Sequence, residues 1–216
     1  MINGLQLKIC GQTRAEDARV AADIGADYLG FILYPKSPRY LSLDTYKALA
    51  PSLPAGPQRV AVMVEPSTEE LAAVTAAGFD FFQIHFAHTT PLETLRGWSD
   101  LVGAHRLWLA PKLPPAVDVP AEWLPLAGTF LLDTFHAEGF GGSGKTGDWA
   151  KFERHQKTYP QHTWILAGGL SPDNVADAVA RSGTHGVDVN SGVESSPGVK
   201  DHAKLRRLAE VLGKPV

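Results

Sequence analysis

Two side chains that could exchange protons, the thiol of Cys10 and the carboxyl group of Asp133, each stand at the end of a short apolar run. A thiolate can remove a proton while a carboxylic acid delivers one, and an isomerisation needs this pair of roles. Free cysteine is mostly protonated at neutral pH, so Cys10 would need a nearby cation or helix dipole. Lys8 is close in the sequence, but we expect its side chain to point to the opposite face of the strand. The simpler alternatives are a buried, apolar Cys10 and an Asp133 that only braces a loop.

Other residues could bind an anionic ligand. Arg39, within "YPKSPRYL" (34–41), has a planar guanidinium that suits a carboxylate or a phosphate, although by default it would be a hydrated surface charge. Glycines and a serine follow two later apolar runs, where backbone N–H groups could hold a phosphate. They could also be turn residues without a ligand. These residues are Gly168, Gly169, Ser191 and Gly192.

The stretch "GFGGSGKT", from Gly139 to Thr146, matches the spacing of a nucleotide-binding P-loop. In a true P-loop a strand leads into the loop and a helix begins at the lysine. Here "FHAE" separates the preceding strand from the motif, and Gly147 and Asp148 indicate a helix that begins after it. We therefore interpret the match as coincidental and the glycines as part of a flexible loop.

Three histidines, His85, His88 and His136, could in principle reach one zinc ion. The spacing of the first two across a strand end is poor for this purpose, and no carboxylate pattern accompanies them. We therefore predict no metal site. His85 is instead expected to form part of a site wall or to donate or accept a hydrogen bond there.

Eight apolar runs rich in strand-forming residues alternate with segments of helical character. Most of the runs alternate little, which is typical of parallel strands covered on both faces. Eight such units predict an α/β fold with a closed (β/α)8 TIM barrel, and a doubly wound open sheet is the alternative. The predicted strands cover residues 5–10, 28–33, 59–64, 81–86, 105–110, 129–134, 163–168 and 186–191.

Cap residues mark the starts of several predicted helices. Thr13 with Glu16, and Ser67 with Glu70, have the spacing of a capping box. Ser171 precedes a proline at the first position of a further helix. A last helix is predicted at about residues 200–212.

The bulk composition is that of an ordinary globular protein, with 216 residues, 44% hydrophobic and 20% charged. This length favours a single barrel domain spanning residues 1–216. The net charge of -3 gives no support to nucleic-acid binding, and no apolar run approaches the roughly 18 residues of a membrane span. The lone Cys10 suits a reducing compartment, and we expect a cytoplasmic protein without a membrane partner.

Several motifs together resemble the phosphoribosylanthranilate isomerase family of tryptophan biosynthesis. They are "KICGQT", "GFILYPKSPRYL", "LLDT" followed by "GGSGKTGDW", "LAGGLSPDNV" and "GVDVNSGVE" followed by "GVKD", and they run from residue 8 to residue 201. The resemblance implies a (β/α)8 barrel that carries out an Amadori rearrangement of a small phosphosugar substrate, N-(5-phosphoribosyl)anthranilate, without a metal or an organic cofactor. In this interpretation "GGSGKT" is the loop after the sixth strand.

The resemblance also implies residue roles. Cys10 would be the general base that takes the C2 proton, and Asp133 the general acid that protonates the ribose ring oxygen. Arg39 would hold the anthranilate carboxylate, and Asp188 would contact the anthranilate side. The residues implied at the phosphate end are Gly141, Gly142, Gly168, Gly169, Ser191 and Gly192.

The chain departs from the family pattern at a few positions. Phe86 stands where the family usually has a glycine, and a ring there is expected to lie near the site or to displace its loop. Asn190 replaces a serine, and "WLAPKLPP" after the fifth strand is unusual. A non-catalytic phosphosugar-binding barrel and an isomerase of another aminoaldose phosphate therefore stay open as alternatives. Nothing in the sequence indicates an oligomeric state.

Overall fold

Eight parallel strands form a closed barrel in the computed structural model, which describes residues 1–133 and 148–213. The ring closes because β8 pairs with β1 in parallel, with Gln6 opposite Gly186 and Ile9 opposite Val189. The (β/α)8 barrel prediction is thus confirmed and the open-sheet alternative is wrong. The strands are β1 (Gln6–Ile9), β2 (Tyr28–Ile32), β3 (Gln58–Val64), β4 (Phe81–Ala87), β5 (Leu107–Lys112), β6 (Thr129–Leu132), β7 (Thr163–Leu166) and β8 (Gly186–Val189).

Helices connect the strands of the barrel. The α-helices are α1 (Ala15–Asp23), α2 (Leu43–Leu49), α3 (Thr68–Thr75), α4 (Leu92–Val102), α5 (Trp149–Thr158), α6 (Val175–Ser182) and α7 (His202–Val211). Short 3-10 helices cover Ala50–Ser52, Ala121–Leu126 and Ser191–Val193. A hairpin of β9 (Glu194–Ser196) and β10 (Val199–Lys200) precedes α7. Of the helices in the described ranges, none has the length and apolar character that crossing a membrane requires.

The 3-10 helix Ala121–Leu126 lies between β5 and β6, in a segment rich in proline. Pro125 falls inside this helix. Proline lacks the backbone N–H that an α-helical hydrogen bond needs, which accounts for a short, tight helix in this segment.

The strands separate two apolar clusters, as expected when side chains alternate between the two faces of a sheet. The larger cluster packs the strands against the helices. The smaller one fills the barrel and consists of Cys10, Tyr28, Val60, Val62, Trp108, Ala110, Leu131, Ile165 and Ala167. Cys10 and Leu131 therefore show which face of β1 and of β6 looks inward.

The helix starts agree only in part with the sequence. The capping box of Ser67 and Glu70 is confirmed at the start of α3. Thr13 is not an N-cap, because α1 begins after Arg14 and the Thr13 hydroxyl instead donates a hydrogen bond to the carbonyl of Gly198. The start predicted after Ser171 is also wrong, since the N-cap residue of α6 is Asn174.

Several strands end earlier than predicted, and two of these strand ends bear on the site. The strand predicted at 129–134 ends at Leu132, so that Asp133 is the first residue of the following loop. The strand predicted at 186–191 ends at Val189, and the 3-10 helix Ser191–Val193 follows it. In both places the residues implicated in chemistry therefore lie just beyond a strand, at the mouth of the barrel.

Phe86 does not enter the mouth of the barrel, contrary to expectation. Its side chain is fully buried and its ring packs edge-on against Trp98 of α4 at 5.8 Å and against Trp123 at 5.2 Å, measured between ring centroids. Successive residues of a strand point to opposite faces, so Phe86 points outward while its neighbour His85 points into the barrel mouth.

Phe86→Ala should lower the free energy of unfolding by about 3–5 kcal/mol, because a large buried ring is lost and a cavity remains. Leu101→Ala on α4 is the matched control, since Leu101 is exposed and should cost no more than about 0.5 kcal/mol. Chemical denaturation followed by tryptophan fluorescence measures both. A cost below about 1 kcal/mol for Phe86→Ala would contradict this packing.

Candidate active site

A cavity opens at the carboxyl ends of the barrel strands, and most of the predicted site residues lie in its wall. Cys10 comes from the end of β1 and Asp133 from the loop after β6. In an eight-stranded barrel these two strand ends lie on different sides of the mouth. The other predicted residues that line the cavity are Arg39, His85, Gly168, Gly169, Asp188 and Ser191.

The other glycines predicted at the phosphate end are Gly192, Gly141 and Gly142. Gly192 is not among the lining residues, and it packs so closely on the loop after β7 that an added Cβ would lie 2.0 Å from the carbonyl oxygen of Leu170. Only a glycine allows this approach of two backbones. Gly141 and Gly142, like His136 and the P-loop-like stretch, lie outside the described residues.

Lys8 lies beneath the cavity and contacts Cys10, which sequence reasoning missed. Its side chain is fully buried, and its Nζ forms an ion pair with Oδ1 of Asp188 at 2.8 Å. Its charge also acts on the neighbouring Cys10 thiol. The expectation that Lys8 points away from Cys10 is wrong, because residues two apart on a strand share a face. This period of two was the signal that could have found the contact.

The charges around Cys10 act in opposite directions. Burial raises the pKa of the Cys10 thiol, and Asp188 adds to this, whereas Lys8 and Lys200 lower it. Burial by itself would lower the pKa of Lys8, but Asp188 and Cys10 outweigh it and the pKa of Lys8 is raised. The charges of the protein alone therefore favour a protonated thiol beside a charged ammonium.

Gly30 on β2 leaves space for the side chains of Lys8 and Cys10 to approach each other. A Cβ added at Gly30 would lie 2.8 Å from Sγ of Cys10 and 2.9 Å from Nζ of Lys8. Both distances are shorter than carbon normally tolerates. A glycine at this position is thus a geometric requirement of the contact between Lys8 and Cys10.

Arg39 is held in place by a buried carboxylate. Its Nε donates to both carboxylate oxygens of Glu194 at 2.9 and 3.0 Å, and its Nη2 donates to Oε2 at 2.7 Å. Lys200 Nζ donates to Oε1 of Glu194 at 2.9 Å and to Oδ1 of Asn190 at 3.0 Å. Arg39 is therefore not the hydrated surface charge of the default interpretation.

The β9–β10 hairpin supplies both partners of this network, Glu194 and Lys200. Burial alone would raise the pKa of Glu194, but Arg39 and Lys200 outweigh it and lower the pKa, so Glu194 is ionised. Sequence analysis assigned no role to either residue. Both stand in the motif "GVE…GVKD", whose paired acid and base were the available signal.

His85 lines the cavity and is neutral at physiological pH. Burial, and then the charge of Lys8, lowers its pKa to about 4. Its Nε2 lies 2.7 Å from the amide Nε2 of Gln83, which also lines the cavity. An unprotonated Nε2 can accept this hydrogen bond, which leaves the ring proton on Nδ1. Within the residues that the structure describes, no group of histidine, cysteine and carboxylate side chains could hold a metal ion.

Comparison with known proteins gives one consistent family. A family model described as N-(5'phosphoribosyl)anthranilate (PRA) isomerase matches residues 7–211. An N-(5'-phosphoribosyl)anthranilate isomerase of Synechococcus elongatus is 36% identical over 217 residues, covering 98% of this chain and 97% of that protein. One from Pseudomonas fluorescens is 37% identical over 207 residues, covering 95% of this chain and 97% of that protein.

Solved structures show the same similarity. The phosphoribosyl anthranilate isomerase of Thermus thermophilus has a TM-score of 0.79 at 32% identity, with 96% of this chain and 98% of that chain covered. A second such isomerase, in complex with reduced 1-(o-carboxyphenylamino)-1-deoxyribulose 5-phosphate, has a TM-score of 0.73 at 30% identity and the same coverage.

The ring of His85 should titrate near pH 4 in the folded protein, against 6.5 in the unfolded chain. The unfolded state then binds more protons between these values, so His85 makes the fold less stable as pH falls from 6.5 towards 4. Histidine NMR signals followed over pH measure the titration, and the spectrum of His85→Gln identifies the signal. A midpoint above about 6 would contradict the neutral, buried ring.

Proposed function

The chain belongs to the N-(5'-phosphoribosyl)anthranilate isomerase family, and we propose that Cys10 and Asp133 carry out the proton transfers of its reaction. The activity is that of a phosphoribosylanthranilate isomerase of tryptophan biosynthesis. The observation that carries the proposal is the shared cavity at the barrel mouth, lined by the thiol of Cys10 and the carboxyl group of Asp133.

Asp133 acts first, as the general acid. Its carboxylic acid donates a proton to the ribose ring oxygen, the bond from that oxygen to C1 breaks, and the anthranilate nitrogen becomes part of a protonated Schiff base. Positive charge beside C2 makes the C2 proton more acidic. The same charge favours the thiolate form of the neighbouring Cys10, whose thiol proton is lost to water before the C2 proton is taken.

Cys10 then acts as the general base. Its thiolate takes the C2 proton, and the electrons of the C–H bond form an enolamine between C1 and C2 while the nitrogen charge is neutralised. The enolamine gains a proton at C1 and loses the proton of the C2 hydroxyl, which gives the aminodeoxyketose. Protons gained and lost by the substrate balance, so the rearrangement needs no redox partner, and we propose that it proceeds without a metal or cofactor.

The two ends of the cavity suit the two ends of the substrate. We assign the anthranilate carboxylate to Arg39, whose orientation is set by Glu194. Asp188 and His85 are assigned to the anthranilate side of the wall. The phosphate end is assigned to Gly168, Gly169 and Ser191 together with Gly141, Gly142 and Gly192.

The position of Phe86 bears on the first alternative. A barrel that binds a phosphosugar without catalysis was suggested by a bulky Phe86 closing the anthranilate side, but Phe86 packs outside the barrel. Cys10 and Asp133 would also have no function in a mere binding site.

We further propose that residues 1–216 form a single barrel domain and that the protein works in the cytoplasm. The family match over residues 7–211 supports the single domain, and the free Cys10 supports the cytoplasm.

Cys10→Ser and Asp133→Asn should each lower kcat by about 10²–10⁴-fold, the usual contribution of one general acid or base. The change in anthranilate fluorescence on mixing with freshly prepared phosphoribosylanthranilate measures turnover, and circular dichroism checks folding. Asp100→Asn, exposed on α4, is the control for the aspartate. Turnover within about threefold of wild type in either folded variant would remove that residue from its role.

Arg39→Ala should raise KM far more than it lowers kcat, because the guanidinium binds a carboxylate that does not change during the reaction. Loss of one charge-assisted, bidentate contact predicts a rise of roughly 10- to 100-fold in KM. Arg154→Ala, remote and exposed on α5, is the matched control. An unchanged KM for Arg39→Ala would exclude the carboxylate assignment.

A further inference from the structure

We infer that Lys8 is a positioning residue for the thiolate of Cys10, with its own charge maintained by Asp188. The inference rests on the proposed function of Cys10 and adds a third component to it. Lys8 does not line the cavity, so it would act on the reaction through lining residues, chiefly Cys10. Asp188 would then have two roles: it would maintain the charge of Lys8 beneath Cys10, and it would contact the substrate from the cavity wall.

The first argument is the burial of Lys8. Its side chain is fully buried, and that of Asp188 is 9% exposed. An isolated buried ammonium is strongly disfavoured, and a buried ion pair often stabilises a protein no better than apolar residues of the same volume. A buried ion pair is thus weak evidence for a purely structural role, and a function near a nucleophile is a better account of it.

The second argument is the geometry of three neighbouring strands. Lys8 and Cys10 share the inward face of β1, and Lys8 pairs in register with Asp188 across the seam between β1 and β8. On the other side of β1, Gly30 of β2 has no side chain and leaves room for Nζ of Lys8 and Sγ of Cys10. Nζ of Lys8 is therefore held between the carboxylate of Asp188 and the sulfur of Cys10.

The third argument is the distribution of charge around the sulfur. Within the described ranges, the charged groups besides Lys8 that shift the pKa of Cys10 are Asp188 and Lys200. Lys200 is already bound to Glu194 and Asn190, and His85 on β4 is neutral. Lys8 is therefore the cation best placed to stabilise the thiolate. It keeps its proton throughout, and the C2 proton moves only to sulfur.

The test uses Cys10 itself as the probe, since it is the sole cysteine of the chain. Iodoacetamide reacts with the thiolate, so the pH dependence of alkylation, followed by intact-protein mass, gives the midpoint of Cys10 titration. Lys8→Met should move this midpoint up by at least about one unit, through loss of an adjacent positive charge. In turnover, kcat at neutral pH should fall about tenfold and recover as pH rises, with little change in KM.

A second variant provides the same test if Lys8→Met does not fold. Lys8→Met leaves Asp188 buried without its partner, and this could destabilise the barrel. Lys8→Met/Asp188→Asn removes both charges and keeps the volume, and its alkylation midpoint should also rise, by less than in the single variant because Asp188 opposes Lys8. Thermal unfolding establishes which variants are folded.

The outcomes separate this inference from the proposed function. Alkylation midpoints that stay at the wild-type value in every folded variant would overturn the role of Lys8, whatever the activity of Cys10→Ser. Full activity of Cys10→Ser would overturn the catalytic role of Cys10, and with it the effect of Lys8 on turnover. A raised midpoint together with a kcat that recovers at high pH supports the inference.

Discussion

The ion pair between Lys8 and Asp188 lies where the barrel closes, and the arrangement of the site depends on it. β1 and β8 are far apart in sequence, and their pairing closes the ring. This pairing sets Lys8 opposite Asp188 and brings the ammonium beside Cys10. An open sheet with β1 and β8 at opposite edges would leave the buried charge without this partner. The closure of the barrel and the proposed proton transfer thus share one contact.

A second ionic network positions Arg39, the residue proposed to bind the substrate carboxylate. Arg39 comes from the loop after β2, whereas Glu194 and Lys200 come from the hairpin after β8. The carboxylate of Glu194 holds two nitrogens of the guanidinium, so the position of Arg39 does not depend on a ligand. Preorganisation of this kind lowers the entropy cost of binding. The hairpin, which adds no strand to the barrel, therefore has a direct bearing on the site.

The barrel could be predicted from the sequence, whereas the side-chain contacts beneath its mouth could not. Regular alternation of apolar runs and capped helices predicts eight parallel strands, and the ends of these strands locate Cys10 and Asp133. The expected face of Lys8 is wrong, and Phe86 does not lie near the site, because a strand period of two places Phe86 outside the barrel and Lys8 beside Cys10. Local sequence could not show that Thr13 is not an N-cap, because its hydroxyl donates a hydrogen bond to a carbonyl in the distant β9–β10 turn. Glu194 and Arg39 lie 155 residues apart, so only the tertiary structure reveals their pairing.

The most direct test of the account is a crystal structure with reduced 1-(o-carboxyphenylamino)-1-deoxyribulose 5-phosphate bound, the ligand found with a related isomerase. The account places the carboxylate of the ligand on Arg39 and its phosphate on the glycine loops after β7 and β8. Between these ends, Sγ of Cys10 should lie within about 4 Å of C2, with the Asp133 carboxyl group on the far side of the sugar chain. A ligand bound with C2 remote from Cys10, or with its carboxylate away from Arg39, would contradict the assignment of base and acid.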